Sequence, residues 1–166
     1  MMTLNQIDTY YKETVDETIK CISHQELVEI AKKIILNQIV DVYVTADFYL
    51  TGLYFTQKMM NTNIQVNFQS LYTNQKRWSS FSNEHTLAIV MSQIGEDEDT
   101  RYIVDNIKQK GGKIIALTSS QTNYLKQCST YSLSLYENMN FIKVSGDLIM
   151  DILYEQIICL LEHETL

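Results

Sequence analysis

The chain has 166 residues, 45% hydrophobic and 20% charged, which suits one domain with a sizeable core. Five glycines and no proline exclude collagen-like and Pro-rich low-complexity chains. The formal charge is −7 and the 13 Lys and Arg are scattered, which argues against direct nucleic-acid contact or a basic membrane-surface helix, since both need clustered cations.

Leu4, Ile7, Tyr11, Val15 and Ile19 recur at intervals of three and four, which predicts a helix over 1–20 with one apolar stripe. Ser23 and Glu26 form a capping-box pattern, and Leu27, Ile30, Ala31, Ile34 and Ile35 continue that helix to about Asn37. From there strand and helix patterns alternate. Residues 40–45 are β-branched and apolar, 48–60 read as a helix, and 64–68 alternate as a half-buried strand. Residues 69–83 form a short polar helix and a loop. Residues 87–91 are apolar on both faces, as a central parallel strand requires. An amphipathic helix over 99–110 closes on Gly111-Gly112, followed by an apolar strand at 113–117. A short helix at about 122–127, a fifth strand at 131–135 and a strong helix at about 146–163 complete the chain. Such alternation predicts an α/β fold: a three-layer αβα sandwich around a five-stranded parallel sheet. The two outer helical segments, 1–37 and 146–163, hold more apolar surface than one sheet face needs, which predicts a second subunit against them.

Cys21, Cys128 and Cys159 form no CxxC pair and suggest neither a metal knuckle nor a disulfide frame; reduced thiols fit a cytoplasmic protein. The N-terminus has no apolar signal core, and no apolar run approaches a membrane span. His24, His85 and His163 pair with no other metal ligand at helical spacing, so no metal site is expected. Nucleophile-elbow, P-loop and dinucleotide-loop patterns are absent, and no cofactor is expected.

In an open parallel sheet a ligand sits beyond the carboxyl ends of the strands. That singles out three loops: 46–51, 92–99 and 118–122. The stretch LAIVMSQIGEDEDTRYIVDNIKQKGGKIIALTSSQTNYL, residues 87–125, resembles the sugar isomerase (SIS) domain. That family has a strand ending in a Ser-x-Ser-Gly-x-Thr loop, then a helix, Gly-Gly or Gly-Ala, and an apolar strand ending in Thr. The lead-in ELVEIAKKIILNQIVDVYV, residues 26–44, is similar to the first helix and strand of the SIS domain in RpiR-type regulators. The likeness spans about 23–163. It implies a flavodoxin-like strand order, a usual dimer, and a phosphorylated sugar held by the loops. It divides the chain into a leading helix, 1–22, that follows a DNA-binding domain in such regulators, and a SIS domain, 23–166. No helix-turn-helix is present here, so the chain reads as an isolated effector domain, excised or naturally free-standing.

The sequence departs from that pattern at the loops. Where the family has Gly-x-Gly-x-Ser, this chain has Ala46-Asp47-Phe48-Tyr49-Leu50, with Thr51 the nearest hydroxyl. Bulky Phe48 and Tyr49 are expected to obstruct the close backbone approach to phosphate that glycine permits. In the second loop Ser92 and Gly95 survive, Ile94 replaces the second serine and Asp97 the threonine. Glu96-Asp97-Glu98-Asp99 then serves either as a complement to a helix N-terminus or as a barrier to phosphate. The expected ligand-binding residues are Ala46, Asp47, Tyr49, Thr51, Ser92, Gln93, Gly95, Asp97, Thr118 and Ser119, with Asn67, Gln69, Lys76, Arg77 and Trp78 as further candidates. No histidine is expected near the site as a base for enol-forming isomerisation. The leading expectation is therefore a non-enzymatic sensor: the effector-binding and dimerisation domain of an RpiR-like regulator. It would bind a phosphorylated sugar or related small anion, weakly or with altered specificity, as a homodimer or higher oligomer. DNA would be reached only through an absent domain. The alternatives are a phosphosugar isomerase, and a dimerisation module whose pocket is filled by Phe48, Tyr49 and Ile94.

Overall fold

A computed structural model describes residues 2–138 and 141–164. Residue 1 of the expected leading segment, and 139–140 and 165–166 of the expected SIS segment, lie outside them. The elements are α1 (Leu4–Cys21), α2 (His24–Asn37), β1 (Ile39–Val44), a 3-10 turn (Ala46–Phe48), α3 (Tyr49–Met59), β2 (Gln65–Phe68), α4 (Tyr72–Ser79), β3 (Leu87–Met91), α5 (Glu98–Gln109), β4 (Lys113–Ser119), α6 (Tyr124–Cys128), β5 (Tyr131–Leu135) and α7 (Ile142–Glu164). The five strands are all parallel, in the order β2-β1-β3-β4-β5. The order reverses between β1 and β3, which fixes the switch point at their C-terminal ends.

Strand periodicity builds two cores. On β1, Val40, Val42 and Val44 face α2, α3 and α7, with Ile89, Ile115 and Leu117 beside them. Tyr43 faces the other way, with Ala88, Val90, Ile114 and Ala116, against Ile103, Val104 and Ile107 of α5 and Leu125 of α6. Because side chains alternate with period two, an apolar residue at every strand position serves one helical layer or the other. That is why β3 is buried along its whole length.

Helix ends follow the local chemistry, with one exception. Thr3 and Gln6 form a capping box on α1. Gly111, at φ 80, and Gly112 close α5 as a Schellman motif, their N–H groups bonding Lys108 and Ile107 carbonyls. At α2 only half the expected box forms. Ser23 Oγ accepts from the Glu26 N–H, but the Glu26 carboxylate accepts instead from the Ser132 N–H of the edge strand β5, at 3.0 Å. An edge-strand donor would otherwise lack a partner, so the carboxylate is better used there.

The stripe of α1 points outward. Thr14 and Thr18 are buried, Thr18 Oγ1 bonding Ser145 Oγ of α7 at 2.9 Å, whereas Leu4 is 83% and Ile19 52% exposed. This polar face docks on α7 while the apolar stripe remains uncovered within one copy. Helix α7 begins at Ile142, one turn earlier than its apolar pattern.

Candidate functional site

The loops that leave β1, β3 and β4 are tied in series. Thr45 donates its N–H to the Met91 carbonyl, Ser92 donates to Leu117, and Ser119 donates to Gln93. These bonds bring all three loops to one rim of the sheet. At the switch point they leave an open cleft of about 300 Å³, lined by Thr45, Ala46 and Asp47 from one side and by Ser92, Gln93, Ile94 and Asp97 from the other. Tyr72 and Asp99 complete it.

The second loop is rigidly built. Gly95 has φ +66, a left-handed backbone that disfavours any side chain. Its N–H donates to Ser92 Oγ at 3.0 Å. A Cβ at this position would lie 2.3 Å from Asn123 Oδ1. Asn123 is buried and caps α6 by accepting from the Lys126 N–H, while its Nδ2 donates to Thr118 Oγ1 at 2.9 Å.

The acidic run is mostly occupied. Asp97 is the N-cap of α5: Oδ1 accepts from the Thr100 N–H at 2.8 Å, and Oδ2 accepts from the hydroxyls of Thr100 and Ser92 at 2.7 and 3.0 Å. Burial works against its charge, but the bonds from Thr100 and Ser92 outweigh it and hold the acid below its ordinary range. Glu96 pairs with Arg101 and accepts the Tyr124 N–H. Asp99 pairs with Lys76, which also lies over the Tyr102 ring. Asp47 is exposed on the first loop. Tyr72 is pushed up first by burial and then by the charges of Asp97, Asp47 and Asp99, so its hydroxyl remains a proton-bearing donor in the cleft.

Of the expected site residues, Ala46, Asp47, Ser92, Gln93 and Asp97 line this cleft. Gly95 is buried behind it and shapes the loop. Thr118 and Ser119 brace the second loop from the far side, Thr118 Oγ1 donating to the Gln93 carbonyl. Thr51 is buried in α3 and donates to Asp147 of α7. Tyr49 packs on Phe68 with ring centroids 5.7 Å apart, and lines a neighbouring cavity with Ser70 and Gln75. Phe48 does not obstruct the cleft: it turns into the core against Gly146. Ile94 stays on the cleft wall, 66% exposed. The cleft is thus not plugged by Phe48 or Tyr49. Asn67 and Trp78 lie elsewhere, both bonded to Asp41. Thr45, Tyr72 and Asp99 were not among the residues read as ligand-binding. The hydroxyl of Thr45, one residue before the loop, and the place of Asp99 in the acidic run are the signals the sequence carries; Tyr72 sits in a polar stretch whose pattern does not say which side chain turns toward β1.

No helix among the described residues is long and apolar enough to cross a membrane, and no group of three or more His, Cys, Asp or Glu among them could hold a metal ion.

The family model for the SIS domain matches residues 40–158. No curated protein matches the chain. Among solved structures, the Vibrio vulnificus NanR protein complexed with ManNAc-6P superposes with TM-score 0.82 at 15% identity, over 90% of this chain and 60% of that one. This chain therefore spans less than two thirds of that relative. The sugar isomerase domain of an RpiR transcription factor from Sphaerobacter thermophilus gives TM-score 0.80 at 13% identity, covering 92% and 87%. A phosphoheptose isomerase from Francisella tularensis gives 0.81 at 19%, covering 95% and 98%. The neighbours include both regulators and isomerases, and at such identities the likeness is one of fold.

Proposed function

This chain belongs to the SIS domain family, and from that premise we propose that it is the effector-binding and dimerisation domain of an RpiR-like transcriptional regulator acting in the cytoplasm. Its ligand is a phosphorylated sugar or a related small anion, taken in the cleft between 45–47 and 92–97. DNA is reached through a separate domain, and the outward stripe of α1 is covered by a second copy.

The observation that supports sensing over turnover is the state of Asp97 and Asp99, the two cleft acids at the start of α5. A base for enol-forming isomerisation must be free and matched to the working pH. Asp97 is committed to the end of α5 and held as a stronger acid than usual. Asp99 is neutralised by Lys76. The Tyr72 hydroxyl and the Gln93 amide, with the Thr45 hydroxyl beside them, line the cleft for recognising a polyol, while the Ser92 hydroxyl is already held by Asp97 and Gly95. The same arrangement weakens affinity for phosphate. Asp47 and Asp97 face the cleft and take part in no ion pair among the described residues, and each like-charge contact at ~4 Å costs about 1–4 kcal/mol between aqueous and surface dielectric. Against a micromolar complex of about −8 kcal/mol, two such contacts are decisive.

The test is calorimetric titration with hexose and pentose phosphates beside a coupled isomerase assay. Binding weaker than micromolar without turnover is the expected result. Sub-micromolar binding overturns the weakened-affinity reading, and turnover replaces the sensor with an isomerase, the function of one of its structural neighbours.

A further inference from the structure

A second cavity, of about 410 Å³, opens at the opposite end of the sheet, where β1 and β3 begin. At a strand rise of about 3.3 Å per residue, Asp41 here lies about 13 Å along β1 from Thr45 at the cleft. Asp41 and Asn67 face each other across the β1–β2 ladder. Asn67 Nδ2 and Trp78 Nε1 both donate to Asp41 Oδ1, at 2.8 and 3.1 Å. Around this polar centre stand Leu36, Ile39 and Phe81, which are 77%, 47% and 66% exposed. Phe81 meets Trp78 edge-on, with centroids 6.3 Å apart.

The charge arrangement is unusual for this chain. Lys58, Lys76 and Arg101 each pair with an acid elsewhere, and none of the ion pairs among the described residues uses Asp41. Two neutral donors hold its carboxylate in place without balancing its charge. Deeper in, Tyr43 is pushed up, first by burial and then by Asp41. Asn37, Asn83, Thr86 and His85, the last paired with Glu84, complete a lining that is part apolar and part polar. Its apolar side chains beside one fixed carboxylate that joins no ion pair favour a cation with an apolar body. A neutral polyol or an anion would leave the charge unanswered.

We propose that this cavity is a binding site for a small organic amine, its ammonium on the Asp41 carboxylate and its apolar body against Trp78, Phe81 and Leu36. The site is independent of the cleft and of the ligand proposed there.

Trp78 is the chain's only tryptophan, so its emission reports this cavity directly. The experiment titrates the whole chain with benzylamine and, separately, with benzyl alcohol, its neutral counterpart. Benzylamine is expected to change the emission saturably with a dissociation constant of about 1 mM, given the few atoms such a probe offers. Benzyl alcohol should bind at least tenfold more weakly. Asp41→Asn keeps an oxygen for Asn67 and Trp78 but removes the charge, and should weaken benzylamine to the level of the alcohol. Phe81→Ala, on the exposed rim, should weaken it several-fold and serves if the first variant does not fold. Equal binding of amine and alcohol, no saturable response to the amine, or undiminished binding in the folded variants would overturn the proposal.

Discussion

Gly95→Ala tests the construction of the cleft's second loop most directly. The substitution meets two costs. A left-handed backbone without glycine costs about 1–2 kcal/mol. The new Cβ would also lie 2.3 Å from Asn123 Oδ1 and 2.6 Å from its Cγ, closer than real contacts allow. Asn123 cannot move aside freely, because it caps α6 and bonds Thr118. Displacing it forfeits a cap of about 1 kcal/mol and a side-chain bond of about 1 kcal/mol. The expected loss is about 3–4 kcal/mol, or about 6–16 °C in Tm for a chain of this size. Asn123→Ala alone should cost about 2 kcal/mol through the same cap and bond. In the double variant the clash with Asn123 is gone, leaving Thr118 Oγ1, a rotatable hydroxyl, at 3.0 Å, and the Asn123 bonds are lost only once, so the total should stay near 3–4 kcal/mol instead of the additive value of about 5–6. Urea unfolding followed by circular dichroism measures all four proteins. Additive losses, or a Gly95→Ala protein within about 1 kcal/mol of the parent, would refute the claim that Gly95 and Asn123 share one packing constraint.

Three further outcomes follow from the same geometry. The Asp97 acid is lowered in the fold, so its contribution is present above the ordinary value of 3.8 and disappears as pH falls through the lower folded value. Asp97→Asn should therefore be destabilised near neutral pH and approach the parent in urea midpoint as pH is taken below 3.8; a constant gap would contradict this origin. Asp47→Asn removes an exposed charge from the cleft and should tighten glucose 6-phosphate binding about fivefold, near 1 kcal/mol. Calorimetry showing no gain would place the phosphate elsewhere. Ile7→Asp, on the uncovered stripe of α1, should weaken self-association at least tenfold by sedimentation velocity; an unchanged profile would remove that stripe from the proposed interface.

The sheet was legible in the sequence because apolar runs and their spacing are local signals. Val40 to Val44 and Leu87 to Met91 announce strands without reference to anything distant, and Gly111 marks the end of α5 by its own backbone need. The site was legible only in part because loop residues are chosen by their neighbours in space. Thr51 and Ser92 look alike as hydroxyls in the segments that follow β1 and β3, yet one is drawn to Asp147 on α7 and the other to Asp97 five residues on. Asp41 gave no signal at all: a lone acid in an apolar strand reads as an exposed edge position until Trp78 and Asn67 are seen to converge on it. The acidic run shows how the two levels join. Its composition allowed either a helix complement or a phosphate barrier, and the structure makes Asp97 the first while leaving its carboxylate on the cleft wall. A charge fixed by capping cannot be withdrawn when a ligand arrives, so the bond that starts α5 also limits which anions the cleft can accept.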